Sequence, residues 1–211
     1  MPSIKIQWNN PGDGWGIWRI DETEQFFTSQ LPKIDACPDE LTNEFKRLEW
    51  LCGRYLLKVL FTEAGQVYQG ISKNEQGKPF PVHSVYQLSL TNSFPYVAAQ
   101  IHPVKPVGID LEKIRSKLAE VCKRVLSAEE LADAGNDLKK LCVYWSAKES
   151  LLKISGNKNF TFSKDLKIEP FDISASGVLA GSIRQHELVE FHYLNYLITD
   201  DFVLTTTQII L

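Results

Sequence analysis

The stretch VGIDLEK at 107–113, read together with YWSAKESLLK at 144–153, carries most of the information in this chain. In the first, Ile109 and Leu111 alternate with Asp110 and Glu112. A period of two puts both carboxylates on one face of a strand and the aliphatic side chains on the other. In the second, Glu149 and Lys153 stand four residues apart and share a helix face, with Lys148 beside Glu149. Three acids with adjacent lysines are what a divalent cation on a pyrophosphate requires. Hard cations take oxygen ligands and keep some water, and lysines neutralise the remaining phosphate charge. Taken singly, each pattern has a plainer reading. D-x-E is common on solvated strand ends, and an i,i+4 Glu–Lys pair is often a surface salt bridge worth about 0.3–0.5 kcal/mol.

Outward from these motifs the chain reads as two cycles of helix and strand. LTNEFKRLEWLCGRYLLKVLF at 41–61 places Leu41, Phe45, Leu48, Cys52, Tyr55 and Val59 on one stripe, predicting an amphipathic helix that starts near Pro38-Asp39. Arg54 lies within it and reads as a snorkelling side chain at the edge of the stripe. The preceding Gly53 invites a close-approach explanation. Residues 14–20 read as a strand, 74–81 (NEQGKPFP) as a turn that presents Lys78, and YQLSLTNS and YVAAQIH as two strands joined by Ser-Phe-Pro. VKPVGIDLEK is a third strand. SAEELADA at 127–134 carries a capping-box signature in Ser127 and Glu130. LKKLCVYWSAKESLLKISG at 138–156 is a second long helix, ended by Gly156. The four segments that follow read as mostly antiparallel strands. The fold class expected is α+β, with a boundary near Pro103–Pro106.

Composition narrows the field. The chain has 211 residues, 44% hydrophobic and 23% charged, with a formal net charge of −3. Nothing there suggests general binding to nucleic acid or to a membrane surface. No apolar run is long enough to span a bilayer. The start lacks a basic region followed by an apolar run, so a cytoplasmic protein is the expectation. Cys37, Cys52, Cys122 and Cys142 form no C-x-x-C pair; Cys52 and Cys142 are expected as small buried hydrophobes. The histidines show no zinc spacing, and neither a nucleophile elbow nor a P-loop is present.

The order of the motifs is more specific than any one of them. A helix bearing Gly53-Arg54, then Gly77-Lys78-Pro79, then S-L-T-N-S, then V-G-I-D-L-E, then W-S-A-K-E-S-L-L-K closely resembles the 4′-phosphopantetheinyl transferase superfamily, in its monomeric surfactin-synthetase-activating type. The resemblance runs from about residue 41 to 170.

It implies two similar α/β subdomains, 1–105 and 106–211, related by pseudo-twofold symmetry, with the active site in the cleft between them. It also implies transfer of the phosphopantetheine arm of coenzyme A to a serine of an acyl or peptidyl carrier protein, releasing adenosine 3′,5′-bisphosphate. Asp110, Glu112 and Glu149 then match the residues that serve Mg²⁺, with Mn²⁺ as the alternative. Glu149 and Lys153 match the catalytic pair. Lys153 approaches the CoA phosphates, Lys148 reinforces the same field, and Arg54 and Lys78 bind the nucleotide end. In the hairpin strand, Thr91-Asn92-Ser93 stands where the family usually has Ser-His-Ser, and Asn92 takes the place of a phosphate-contacting histidine. Asparagine donates an amide hydrogen bond but cannot become cationic. That departure keeps a second reading open, a CoA- or carrier-binding module with weakened or lost transfer. A metal-dependent nucleotide phosphohydrolase using the same acids is a third.

Overall fold

The computed structural model describes residues 3–156 and 159–209, a mixed arrangement of helices and antiparallel sheets. The chain divides into two compact units, Met1–Val107 and Gly108–Leu211.

In the N-terminal unit, β1 (Ser3–Asn10), β2 (Asp13–Arg19), β5 (Gln87–Ser93) and β6 (Tyr96–His102) form an antiparallel sheet in the order β1-β2-β6-β5. α1 (Glu24–Thr28) packs on α2 (Glu44–Glu63), and α2 lies across β2 and β6. The run at 74–81 is more than a turn. Its second half is β4 (Pro79–Pro81), paired with β3 (Ile71–Lys73), and Asn74 Oδ1 ties the connection by accepting from the amides of Gln76 and Lys78.

Helix α2 starts later than its sequence suggests. Asn43 is the N-cap and accepts from the Lys46 amide, so Pro38 and Leu41 precede the helix. Its buried face is also rotated from the expected stripe. Leu56, Leu57, Leu60 and Phe61 are fully buried, while Phe45 is 53% exposed. Each of those four contributes about 1.5–3 kcal/mol by leaving water. The stripe drawn from six positions missed that a helix facing a sheet buries a broad arc rather than a narrow seam. A Cβ at Gly53 would lie 3.4 Å from the side chains of Leu90 and Val97, ordinary van der Waals contact, so no close backbone approach explains the glycine.

In the C-terminal unit, β7 (Ile109–Lys113), β8 (Leu166–Ile168), β9 (Ser176–Gln185), β10 (Leu188–Ile198) and β11 (Phe202–Gln208) form a sheet ordered β7-β11-β10-β9-β8. β7 is thus an edge strand of this second sheet, antiparallel to β11, with Asp110 opposite Thr205 and Glu112 opposite Val203. α3 (Lys117–Val125), α4 (Ala128–Ala134) and α5 (Leu138–Ser155) gather on one face, and α5 packs against β7, β8 and β11. The Ser127–Glu130 capping box is present. Gly156 ends α5 in a left-handed conformation, φ 70°, which glycine adopts without a Cβ clash. A short helix, α6 (Phe162–Asp165), opens the segment expected as strand alone. All four cysteines are free, and Cys52, Cys122 and Cys142 are buried.

Among the described residues, no helix is long and apolar enough to cross a membrane.

Candidate active site

Helix α5 can lie close to β7 because its facing residues are small. Ser146 Oγ donates to the carbonyl of Asp110 at 3.2 Å, and Ser150 and Thr205 hydroxyls are 2.7 Å apart. Thr205 Oγ1 returns a bond to the Ser146 carbonyl at 2.9 Å. Opposite them, Gly108 has no room for a side chain: a Cβ there would sit 2.0 Å from the Ser150 carbonyl oxygen. Several letters of the two motifs, Gly108, Ser146, Ala147 and Ser150, therefore serve the approach of helix to strand. Gly108→Ala is expected to push α5 off β7, costing about 1–3 kcal/mol or more. A lowered denaturation midpoint checks this; an unchanged one would contradict the close approach.

That approach brings the acids together. Asp110 is 4% exposed, and its Oδ1 accepts from Lys153 Nζ at 2.7 Å; the same ammonium donates to the Ile109 carbonyl at 2.9 Å. Lys153 therefore reaches across to the strand instead of pairing along its own helix with Glu149. Glu112 Oε1 accepts from the indole N–H of Trp145 at 2.9 Å, and that indole stacks on Phe162, with ring centroids 5.5 Å apart. The structure makes Trp145 the residue that fixes Glu112. Its place four residues before Glu149, on the same helix face, was the available signal.

The electrostatics bear the mark of three like charges. Burial first, and then Asp110, pushes the Glu149 carboxyl up to about 7, with Glu112 adding to the rise and Lys153 opposing it. Glu112 is also raised, by burial and then by Asp110. Carboxylates so placed favour a cation among them.

Among the described residues, no group of three or more His, Cys, Asp or Glu side chains forms a ready-made metal cage. Lys153 and Trp145 already engage Asp110 and Glu112. The donor set nevertheless suits Mg²⁺ in kind: hard oxygen ligands, held close enough that Asp110 raises the pKa of both Glu112 and Glu149. Magnesium typically takes only one or two carboxylates, with the rest of its shell from water and phosphate.

Lys148 does not belong with these groups. It is fully buried, with Nζ 2.5 Å from Glu130 Oε2 and donating to the carbonyls of Val125 (3.3 Å) and Phe162 (2.9 Å). An ammonium has three donors, and all three are used in the core. The expectation that Lys148 strengthens a phosphate-binding field is corrected accordingly: neighbours in sequence on a helix point about 100° apart, so Glu149 and Lys148 face different surroundings.

The remaining candidates lie in the N-terminal unit. Arg54 is no snorkelling side chain. It is 6% exposed, its Nε is 3.4 Å from Asp35 Oδ1, and its guanidinium lies 3.2 Å from the centroid of the Trp50 ring. Asp35 is in turn held by the Tyr68 hydroxyl at 2.7 Å and the Ile71 amide at 3.2 Å. The pairing with Asp35 joins residues far apart in sequence and had no signature there. Thr91 is buried and Asn92 exposed on β5, and both line a pocket with Arg54. Lys78 is half-buried on the β3–β4 hairpin, and burial lowers its pKa.

A search of curated proteins finds no match to the chain. Residues 106–207, which include Asp110, Glu112, Glu149 and Lys153, match the family model described as the 4′-phosphopantetheinyl transferase superfamily, so the C-terminal unit is similar to that superfamily.

Proposed function

We propose that this protein transfers the 4′-phosphopantetheine group of coenzyme A to a serine of an acyl or peptidyl carrier protein. The observation that carries the reading is the gathering of Asp110, Glu112 and Glu149, in which Asp110 raises the pKa of Glu112 and of Glu149, with Lys153 at its edge. The similarity of residues 106–207 to phosphopantetheinyl transferases supports the same chemistry. Asp110, Glu112 and Glu149 would hold Mg²⁺, which when bound supplies Lewis-acid polarisation of the pyrophosphate.

The chain's own residues then divide the work. The carrier serine hydroxyl attacks the β-phosphorus of CoA and forms the new P–O bond. Glu149 takes its proton. The bond from the β-phosphorus to the bridging oxygen breaks, and adenosine 3′,5′-bisphosphate leaves. Lys153 offsets the charge that grows on the departing phosphate. Lys78, Thr91, Asn92 and Arg54 serve the nucleotide end of CoA. Positioning and charge neutralisation supply most of the acceleration, as in phosphoryl transfer generally. The reading carries with it a monomer acting in the cytoplasm.

Mass spectrometry of a carrier protein incubated with CoA, Mg²⁺ and this protein tests the proposal. The carrier is expected to gain one phosphopantetheine group. Asp110→Ala is expected to lower the rate by about 100-fold or more. Full activity in that variant would rule the assignment out.

A further inference from the structure

We propose that Phe162, on α6, is a positioning residue for the acids of the C-terminal unit: its ring holds the Trp145 indole in the orientation that presents Glu112 to a divalent cation. The inference rests on the proposed function above in taking Glu112 as a metal ligand. Every group it involves lies within the C-terminal unit.

Glu112 depends on a support that Asp110 does not need. Asp110 is buried and tied to Lys153. Glu112, two residues on, is half-buried, and among the described residues the Trp145 indole is its hydrogen-bond donor, at 2.9 Å. The carboxylate can therefore be no better ordered than the indole. An indole turns about two side-chain bonds, and Trp145 is itself half-buried at the margin of the core. Phe162 lies nearly flat on it, the ring planes inclined by 19° and the centroids 5.5 Å apart. An aromatic pair of this kind weights the stacked arrangement over others by roughly two- to tenfold.

Phe162 is itself fixed by more than α6. A single helical turn does not hold together alone, because its nucleus costs more than one hydrogen bond returns. Asp165 Oδ2 accepts from the Thr161 amide at 2.7 Å and closes the turn. The Phe162 carbonyl accepts from Lys148 Nζ at 2.9 Å, and the Ile168 amide donates to Glu130 Oε1 at 3.0 Å. Both ends of the segment 162–168 are thus fastened to the buried Lys148–Glu130 pair. Lys148 acts on the acids only through this path: it fixes the backbone that carries the ring, the ring fixes the indole, and the indole fixes Glu112.

Calorimetric titration with Mn²⁺ alone tests this, because it reads the acids without the reaction. Phe162→Leu keeps an apolar side chain but loses the flat face. It is expected to raise the Mn²⁺ dissociation constant about fivefold, by lowering the fraction of molecules with Glu112 in place. Phe162→Tyr restores the face and should bind as the wild type does. Trp145→Phe removes the N–H and is expected to weaken binding by about tenfold or more, the usual effect of losing the outer partner of a ligand. In that background Phe162→Leu should add no further loss of affinity. A ring that merely fills the edge of the core would instead lower the denaturation midpoint in both backgrounds and leave the affinity alone. No Mn²⁺ binding by the wild type, an unchanged dissociation constant in Phe162→Leu, or an equal effect of Phe162→Leu with and without the indole N–H would overturn the assignment. Affinity that follows Phe162 while carrier labelling fails would remove the proposed reaction and keep the positioning role. Labelling that succeeds with an affinity indifferent to Phe162 would remove the positioning role alone.

Discussion

Glu149→Gln is expected to abolish carrier labelling and, in metal-free protein, to raise stability above neutral pH. The two effects have one source. In the folded chain the Glu149 carboxyl is pushed up to about 7 by burial and by Asp110. Its folded pKa is therefore above its unfolded one, and the sign of the linkage follows. The stability it contributes is fully present below the ordinary glutamate value and is lost as pH rises through about 7. Above that point the fold holds a third carboxylate against Asp110 and Glu112. The difference corresponds to at most about 3 kcal/mol, less where solvent screens the partly exposed carboxyl. Glutamine keeps the shape without the charge. Thermal melts of both proteins at acidic, neutral and mildly alkaline pH should coincide at the acidic end and separate as pH rises, with the variant higher. Curves that stay parallel across the range would show that the acids do not repel one another as described. Adding Mg²⁺ at the alkaline end is expected to raise the wild-type midpoint, because a ligand bound only by the native state stabilises it. The variant should respond less. Its labelling rate should fall by at least about 100-fold.

Lys148→Met is expected to be the most destabilising single change in the C-terminal unit. The substitution leaves Glu130, 1% exposed, as a buried carboxylate without its cation. Breaking one side of a buried pair costs about 3–5 kcal/mol. Glu130 has further duties: it accepts from the amides of Ser127 at 2.7 Å and Ile168 at 3.0 Å, tying α4 to β8. The double change Glu130→Gln with Lys148→Met removes both charges and keeps one acceptor. It should therefore be milder than Lys148→Met alone, though short of wild type, because the two backbone donors meet different oxygens of Glu130 and glutamine turns one of these into a donor. Chemical denaturation of the wild type, both single variants and the double variant closes the cycle. A double variant as damaged as the sum of the singles would mean that the pair is not coupled.

These two residues, adjacent on one helix, show how far the sequence could be read. The spacing of Asp110 and Glu112 gave their common face. The four-residue step from Glu149 to Lys153 gave another, and the resemblance joined the two faces into one site. All of that depends on local periodicity, which a backbone imposes residue by residue. The pairing of Lys153 with Asp110, of Trp145 with Glu112 and of Lys148 with Glu130 depends on which elements pack together, and side chains many residues apart leave no periodic trace. The same holds in the N-terminal unit. Arg54 had a helix position in the sequence, four residues after Trp50 on the same helix, but Asp35 as its partner emerged only from the packing of α2 against the 33–35 turn.

By itself the sequence determined the α+β character, the two long helices, most strands, and the acids that share a face. Helical and strand periods, capping residues and turn-forming glycines are properties of short segments, so they can be read from short segments. Tertiary structure alone decided that β7 is the edge strand beside β11, that Gly108 admits α5 to within touching distance of it, and that Lys148 is a core cation. Those outcomes come from close packing and from the cost of leaving a buried charge unmatched, and both are set by neighbours that the chain brings together only when folded.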